Sequence, residues 1–179
     1  YNKAIVIKPD YAEAYYNMGI ALQDQKKQEE AIKAYSKALA IKPDYAKAYN
    51  NTGIALQEQN KLEKAIKAYN KALSIKPDYA EAYNNIGIAL KSQGKLEEAI
   101  EAYNKALDIK PDYESARAVN LHQHAHICNW DNIAKEVNLI PELGISKKHV
   151  PPFALLSLED APERHQIRSK IYAKANYPQ

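Results

Sequence analysis

An all-α fold of stacked antiparallel helix pairs, an α-solenoid, is what this sequence predicts, and three observations carry the prediction. The tetrapeptide Lys-Pro-Asp-Tyr recurs at Lys8, Lys42, Lys76 and Lys110, each step being 34 residues. Laying 42–75 over 76–109 leaves eight differences, so 26 of 34 positions are identical and the chain is an internal repeat. Twelve of the 14 tyrosines lie between Tyr1 and Tyr113, a skew that duplication of one tyrosine-rich unit explains.

Each unit contains two helical stripes. Tyr83, Ile86, Ala89 and Leu90 recur at one helix's spacing, and Leu96, Ala99, Ile100, Tyr103, Ala106 and Leu107 at a second's. Ser92-Gln93-Gly94-Lys95 interrupts the pattern, so a unit is two short helices and a turn. Asp78 is placed to cap the first helix with Glu81 completing a capping box, and Asp10 with Glu13 repeats the device. Lys47 after Asp44 breaks it in the middle unit. Pro43, Pro77 and Pro111 cannot continue the preceding helix and separate the units. Residues 1–7 repeat 69–75, so the chain is expected to open inside the second helix of an earlier unit and to self-associate weakly through that open end.

After Tyr113 the repeat decays: Arg117 stands where the period expects Tyr and Leu121 where it expects Gly. Helical spacing continues through Ala118, Leu121, Ala125 and Cys128, which predicts helices over 113–128 and 130–140. Pro141, Gly144 and Pro151-Pro152 then mark a loop, 153–158 a short apolar helix, and 162–176 a longer amphipathic one. The expected organisation is the end of a truncated repeat (1–7), three complete units (8–112), a degenerate fourth pair (113–140), and a loop and helices leading onward (141–179).

Composition narrows the function classes. The 179 residues are 46% apolar and 26% charged, enough to build a core, and the net charge of +3 comes from signs that alternate along the chain. That pattern gives no basic footprint for nucleic acid or a membrane surface. The single cysteine, Cys128, rules out an intramolecular disulfide, and with no signal-peptide pattern and no long apolar run the chain is expected in the cytoplasm. A phosphate-cradling glycine loop and a Ser/His/Asp arrangement are both absent from the sequence, so the chain is not expected to be an enzyme by itself.

Tyr15-Gly19-Leu22, Ala31-Tyr35-Ala38 and Pro43, repeated as Tyr49-Gly53-Leu56, Ala65-Tyr69-Ala72 and Pro77 and as Tyr83-Gly87-Leu90, Ala99-Tyr103-Ala106 and Pro111, resemble the tetratricopeptide repeat family. The resemblance covers 1–113 and implies a right-handed superhelix in which Gly and Ala let paired helices approach, Gly87 facing Ala99, while tyrosines fill the gaps between units. In the tail, Leu121-His122, Ile127-Cys128-Asn129-Trp130, Val150-Pro151-Pro152-Phe153-Ala154-Leu155-Leu156, Arg168 and Ile171-Tyr172-Ala173 are similar to the junction between repeats and catalytic region in SPINDLY-like bacterial relatives of the O-linked N-acetylglucosamine transferases. That similarity implies a glycosyltransferase parent using a UDP-sugar in lobes beyond Gln179, with no cofactor in this chain and no catalytic base to carry over, His149 being the one histidine near the family's position.

A solenoid of this kind lines its concave wall with first helices. Asn17, Asn51 and Asn85 recur there at the period and form a row, flanked by Tyr16, Asn50, Asn84, Ile20, Ile54, Ile88, Gln23 and Gln57. The transferase resemblance implies that such a row holds extended peptide, an amide matching both backbone C=O and N–H. The expected partners are therefore protein or peptide segments; the alternative is a passive structural scaffold whose asparagines are surface residues copied with the unit.

His122, His124, His126 and Cys128 invite a metal reading. On a helix, His122 pairs with His126 and His124 with Cys128 on nearly opposite faces, so one helix cannot present all four to a tetrahedral ion, and a buried or capping histidine set is expected instead. Cys128 beside Trp130 reads as a core thiol, and the Asn50-Asn51-Thr52 sequon, mid-helix, is set aside.

Overall fold

The computed structural model describes residues 11–143, Ile145 and 162–176. The expected repeat end at 1–7, the capping position Asp10 and the helix at 153–158 lie outside the described residues. Among the described residues there are nine α-helices and one 3-10 helix and no strand, an all-α repeat fold of the solenoid class. In chain order they are α1 (Ala12–Asp24), α2 (Gln28–Ile41), α3 (Ala46–Glu58), α4 (Leu62–Ile75), α5 (Ala80–Ser92), α6 (Leu96–Ile109), α7 (Glu114–His126), α8 (Trp130–Glu136), the 3-10 helix Val137–Glu142, and α9 (Pro162–Asn176). They form two compact units, one ending at Lys95 and one beginning at Leu96.

In the first unit α1 packs on α2 and α3 on α4 as hairpins, α2 meets α3 and α4 meets α5, and the first helices α1, α3 and α5 lie side by side. Small residues make this stacking close: Ala31, Ala38, Ala48, Ala55, Ala65 and Ala72 are fully buried. Two of the glycines lie under a tyrosine ring. A Cβ placed on Gly19 or Gly53 would lie 2.6 Å from Cδ1 of Tyr35 or Tyr69, so the tyrosine of the second helix covers the glycine of its own hairpin. A side chain at either glycine would displace a fully buried ring.

Helix ends follow the 34-residue period, but not as the capping box predicts. The N-cap of α5 is Tyr79 and not Asp78, as Tyr11, Tyr45 and Tyr113 are for α1, α3 and α7, and none of the four makes a side-chain cap bond. What the Lys-Pro-Asp-Tyr motif supplies instead is a cation over a ring: Lys42, Lys76 and Lys110 Nζ lie 5.1, 5.1 and 4.9 Å from the centroids of Tyr45, Tyr79 and Tyr113. The proline turns the chain sharply enough for the lysine to meet the tyrosine three residues on.

Each first helix stops at a left-handed residue: Lys26 (φ 62°), Asn60 (φ 58°), Gly94 (φ 78°) and Cys128 (φ 55°) occupy one register, 34 residues apart. In each, the next amide reaches back five residues, Lys27 to Leu22, Lys61 to Leu56, Lys95 to Leu90 and Asn129 to His124, which is the Schellman closure. Cys128 is therefore an exposed turn residue and not the expected core thiol. Because a side chain in this conformation costs about 1–2 kcal/mol and glycine returns part of that as unfolded-state entropy, Cys128→Gly is expected to stabilise the second unit by about 0.5–1 kcal/mol. Chemical denaturation followed at Trp130, the only tryptophan, checks it; a lower midpoint would contradict the strain.

In the second unit α6 packs on α7 and α7 on α8, and Ala118, Leu121, Ile133, Ile140 and Leu143 form a small core with Ala125 against it. The helix expected over 130–140 ends at Glu136 and continues as the 3-10 helix because Pro141, inside it, has no N–H to give and its ring would strike the Val137 carbonyl of an α-helix. From α9, Arg168 reaches this turn fully buried.

Candidate functional site

The face that the sequence selects is carried by α1, α3 and α5, all in the first unit. Asn17 is exposed, whereas Asn51 and Asn85 are half-buried. Asn51 Nδ2 donates to the Tyr16 hydroxyl at 3.2 Å, and Asn85 Nδ2 donates to Asn50 Oδ1 at 3.1 Å. Each bond runs from one first helix to the preceding one, so the row is a set of clasps between consecutive repeats. An amide has two N–H donors and an acceptor oxygen. One donor of Asn51 and one of Asn85 hold the neighbouring repeat, and each amide has a second N–H.

The flanking residues divide. Asn50 and Asn84 are buried, at 4% and 7% exposure, and belong to the wall, where Asn50 also leans on Asn51 Oδ1 at 3.4 Å. Tyr16 remains on the face, its ring 4.9 Å from that of Tyr45 and 5.9 Å from that of Tyr35. Burial raises the Tyr16 pKa, and the Asn51 hydrogen bond pulls the other way. Gln23 and Gln57 have a job the sequence did not disclose: Oε1 of each accepts from the hydroxyl of Tyr35 or Tyr69 at 3.0 Å, fixing the ring that covers Gly19 or Gly53. Ile20, Ile54 and Ile88 are half-buried on the same helices. The row itself is made of amides and tyrosine, and at its edge Gln23 Nε2 donates to the Glu58 carboxylate at 3.4 Å.

The buried hydroxyls make the fold sensitive to alkali. Desolvation pushes Tyr35 up to about 12, and Tyr69 and Tyr103 also lie well above the ordinary value of 10.0 for the same reason. Above pH 10 the unfolded chain gives up these protons and the folded one keeps them, so stability, flat below that pH, falls as pH rises toward 12. Ultraviolet titration of tyrosinate should show these three ionising together with unfolding, after the exposed tyrosines; early, independent ionisation would contradict their burial.

A separate open cleft of about 880 Å³ lies at the α1–α2 and α3–α4 turns, lined by Lys26, Lys27, Lys33 and Lys61 together with Glu29, Glu30 and Glu58. Opposite charges alternate there and none of the amide row reaches it. Among the described residues no group of three or more His, Cys, Asp or Glu is placed to hold a metal, and no helix is long and apolar enough to cross a membrane. Of the alternating histidines, His124 is buried, His122 half-buried and His126 exposed.

Models of the tetratricopeptide repeat match residues 12–45, 34–67 and 80–113, and a further TPR repeat model matches 55–94, a continuous span of more than half the sequence. The chain belongs to the tetratricopeptide repeat family. Among solved structures it is similar to a crystal structure of MamA, at 27% identity over 75% of this chain and 79% of that one, with a TM-score of 0.69. It is also similar to the first TPR of Spaghetti (RPAP3) bound to the HSP90 peptide SRMEEVD, at 26% identity over 65% of this chain and 93% of that one, with a TM-score of 0.63. The Arabidopsis OM64 TPR domain shares the fold at 23% identity, over 64% of this chain and 95% of that one, with a TM-score of 0.61. No curated protein sequence matches the chain.

Proposed function

We propose that this chain is a protein-interaction module that holds an extended peptide along α1, α3 and α5. The observation that carries the reading is the amide row: Asn51 and Asn85 are each oriented by a bond to the preceding repeat, and an amide that gives one N–H still has a second. Amides fixed in this way can pair with a peptide backbone whatever its sequence. The similar Spaghetti repeat domain was crystallised with a peptide, SRMEEVD, whose last four residues include three acids. The row here is uncharged, and its chemistry favours backbone recognition over a carboxylate clamp. In the intact parent the module presents such segments to a UDP-sugar-dependent glycosyltransferase region, a reading that rests on the tail's similarity to the SPINDLY-like junction; sequencing downstream of Gln179 for two alternating strand-helix lobes tests it.

One observation favours a second reading. The clasps from Asn51 to Tyr16 and from Asn85 to Asn50 join repeats with no ligand needed, as a passive scaffold would use them. Calorimetric titration of extended peptides of unrelated sequence, SRMEEVD included, separates the two. For peptide binding, one Asn→Ala change at Asn17, Asn51 or Asn85 weakens affinity a few-fold and the triple change by one to a few powers of ten, at about 0.5–1.5 kcal/mol per hydrogen bond. The losses should be alike across sequences. Equal affinities for wild type and triple variant, with circular dichroism showing both folded, would leave the scaffold.

A further inference from the structure

We propose that His122 and His126 together chelate a divalent transition-metal ion of the imidazole-preferring class, Cu²⁺ most tightly, at the end of α7. The two residues are four apart, one helical turn, and their Nε2 atoms lie 3.2 Å from each other with the rings nearly perpendicular, at 82°. An ion bound at the usual distance of about 2.05 Å from both nitrogens would subtend about 103° between them, between the square-planar and tetrahedral angles. Both ring edges thus already converge at the spacing of adjacent ligands on one ion. Without a metal, the same pair makes a nitrogen-to-nitrogen hydrogen bond in which one ring donates and the other accepts.

The site is bidentate. No third His, Cys, Asp or Glu joins it among the described residues, and His124, between the pair in sequence, is buried while His126 is exposed. The remaining positions on the ion are open to water or to a further donor. His126 is the last residue of α7, so a bridge to His122 closes the final turn just ahead of the left-handed Cys128. Binding to the folded helix and not to the unfolded chain makes the ion a stabiliser of this turn.

The test uses Cu²⁺, Ni²⁺ and Zn²⁺ salts added to the metal-free protein, with calorimetry for stoichiometry and affinity and the fluorescence of Trp130, four residues beyond His126, as a second readout. The expected result is one ion per chain, tightest for Cu²⁺, and a thermal midpoint raised by the ion. Loss of an outer-shell partner alone costs about 10–100-fold in metal affinity, so losing one of only two imidazoles should weaken Cu²⁺ at least about tenfold and abolish the midpoint shift. His126→Gln removes an exposed side chain and leaves the core untouched; His122→Gln is the independent second variant. If both variants, folded by circular dichroism, bind Cu²⁺ and quench Trp130 as the wild type does, the ion sits elsewhere and the proposal is overturned.

Discussion

Tyr69→Ala is expected to cost about 3–5 kcal/mol, the range for deleting a buried aromatic ring. Tyr69 is fully buried, its ring lies over Gly53 where α3 and α4 cross, and its hydroxyl is held by Gln57. The cavity left by alanine would be walled on one side by glycine backbone, which has no side chain to move into it, so collapse is limited. Tyr69→Phe keeps the ring and loses one hydrogen bond to a half-exposed glutamine that water can reach, at about 0.5–1.5 kcal/mol. Gly53→Ala approaches from the other side: its Cβ would meet the ring, and overpacking of about 1–3 kcal/mol outweighs the roughly 1 kcal/mol by which alanine favours a helix over glycine. A repeat array unfolds as coupled neighbours and not as one block. The measurement is therefore amide hydrogen exchange across α3 and α4 alongside urea unfolding. Equal losses for Tyr69→Ala and Tyr69→Phe would show that the ring carries no packing energy.

The repeat made the helices legible before their contacts. Strict 34-residue spacing and two apolar stripes place α1 to α6, since periodicity reports which residues share a helix face. It does not report how two helices are rotated against each other, so the tyrosine ring that lies on Gly19 and on Gly53 became visible only in the structure. The amide row shows the same boundary. Asn17, Asn51 and Asn85 recur legibly, but the bonds from Asn51 to Tyr16 and from Asn85 to Asn50 depend on the stagger between repeats, which no single unit encodes. Local chemistry misled at the caps, where Asp78 is the better capping residue by type, yet the turn after Pro77 brings Tyr79 to that position. The left-handed turn residue was visible only at Gly94; Lys26, Asn60 and Cys128 take the same conformation because the register demands it. In the tail, a charged residue reads as surface, so the burial of Arg168 left no sequence signal beyond the tail's similarity to the transferase junction.

Arg168→Ala is expected to release α9 from the 3-10 turn at a cost of about 2–5 kcal/mol, counting about 1–3 kcal/mol for each carbonyl left without its donor and allowing for some entry of water. The side chain is 1% exposed; its Nε donates to the Leu143 carbonyl at 2.6 Å, and one Nη2 donates to those of Ile140 at 2.8 Å and Pro141 at 3.3 Å. These oxygens belong to the end of a helical turn, where carbonyls carry the negative end of the dipole and only a long bond from the Leu143 amide, at 3.3 Å, also reaches Ile140 among the described residues, so a cation there serves both the bonding and the charge. The geometry needs a planar fork. Arg168→Lys keeps the charge but offers a single ammonium that cannot reach three carbonyls spread over Ile140 to Leu143, and it should recover less than half of the loss. Hydrogen exchange reads the result directly: in Arg168→Ala the amides of α9 and of 137–143 should exchange far faster than in wild type, while those of α1 to α4 stay protected. Unchanged protection in α9 would show that the helix is held by other contacts, and full rescue by lysine would reduce the arginine's role to its charge.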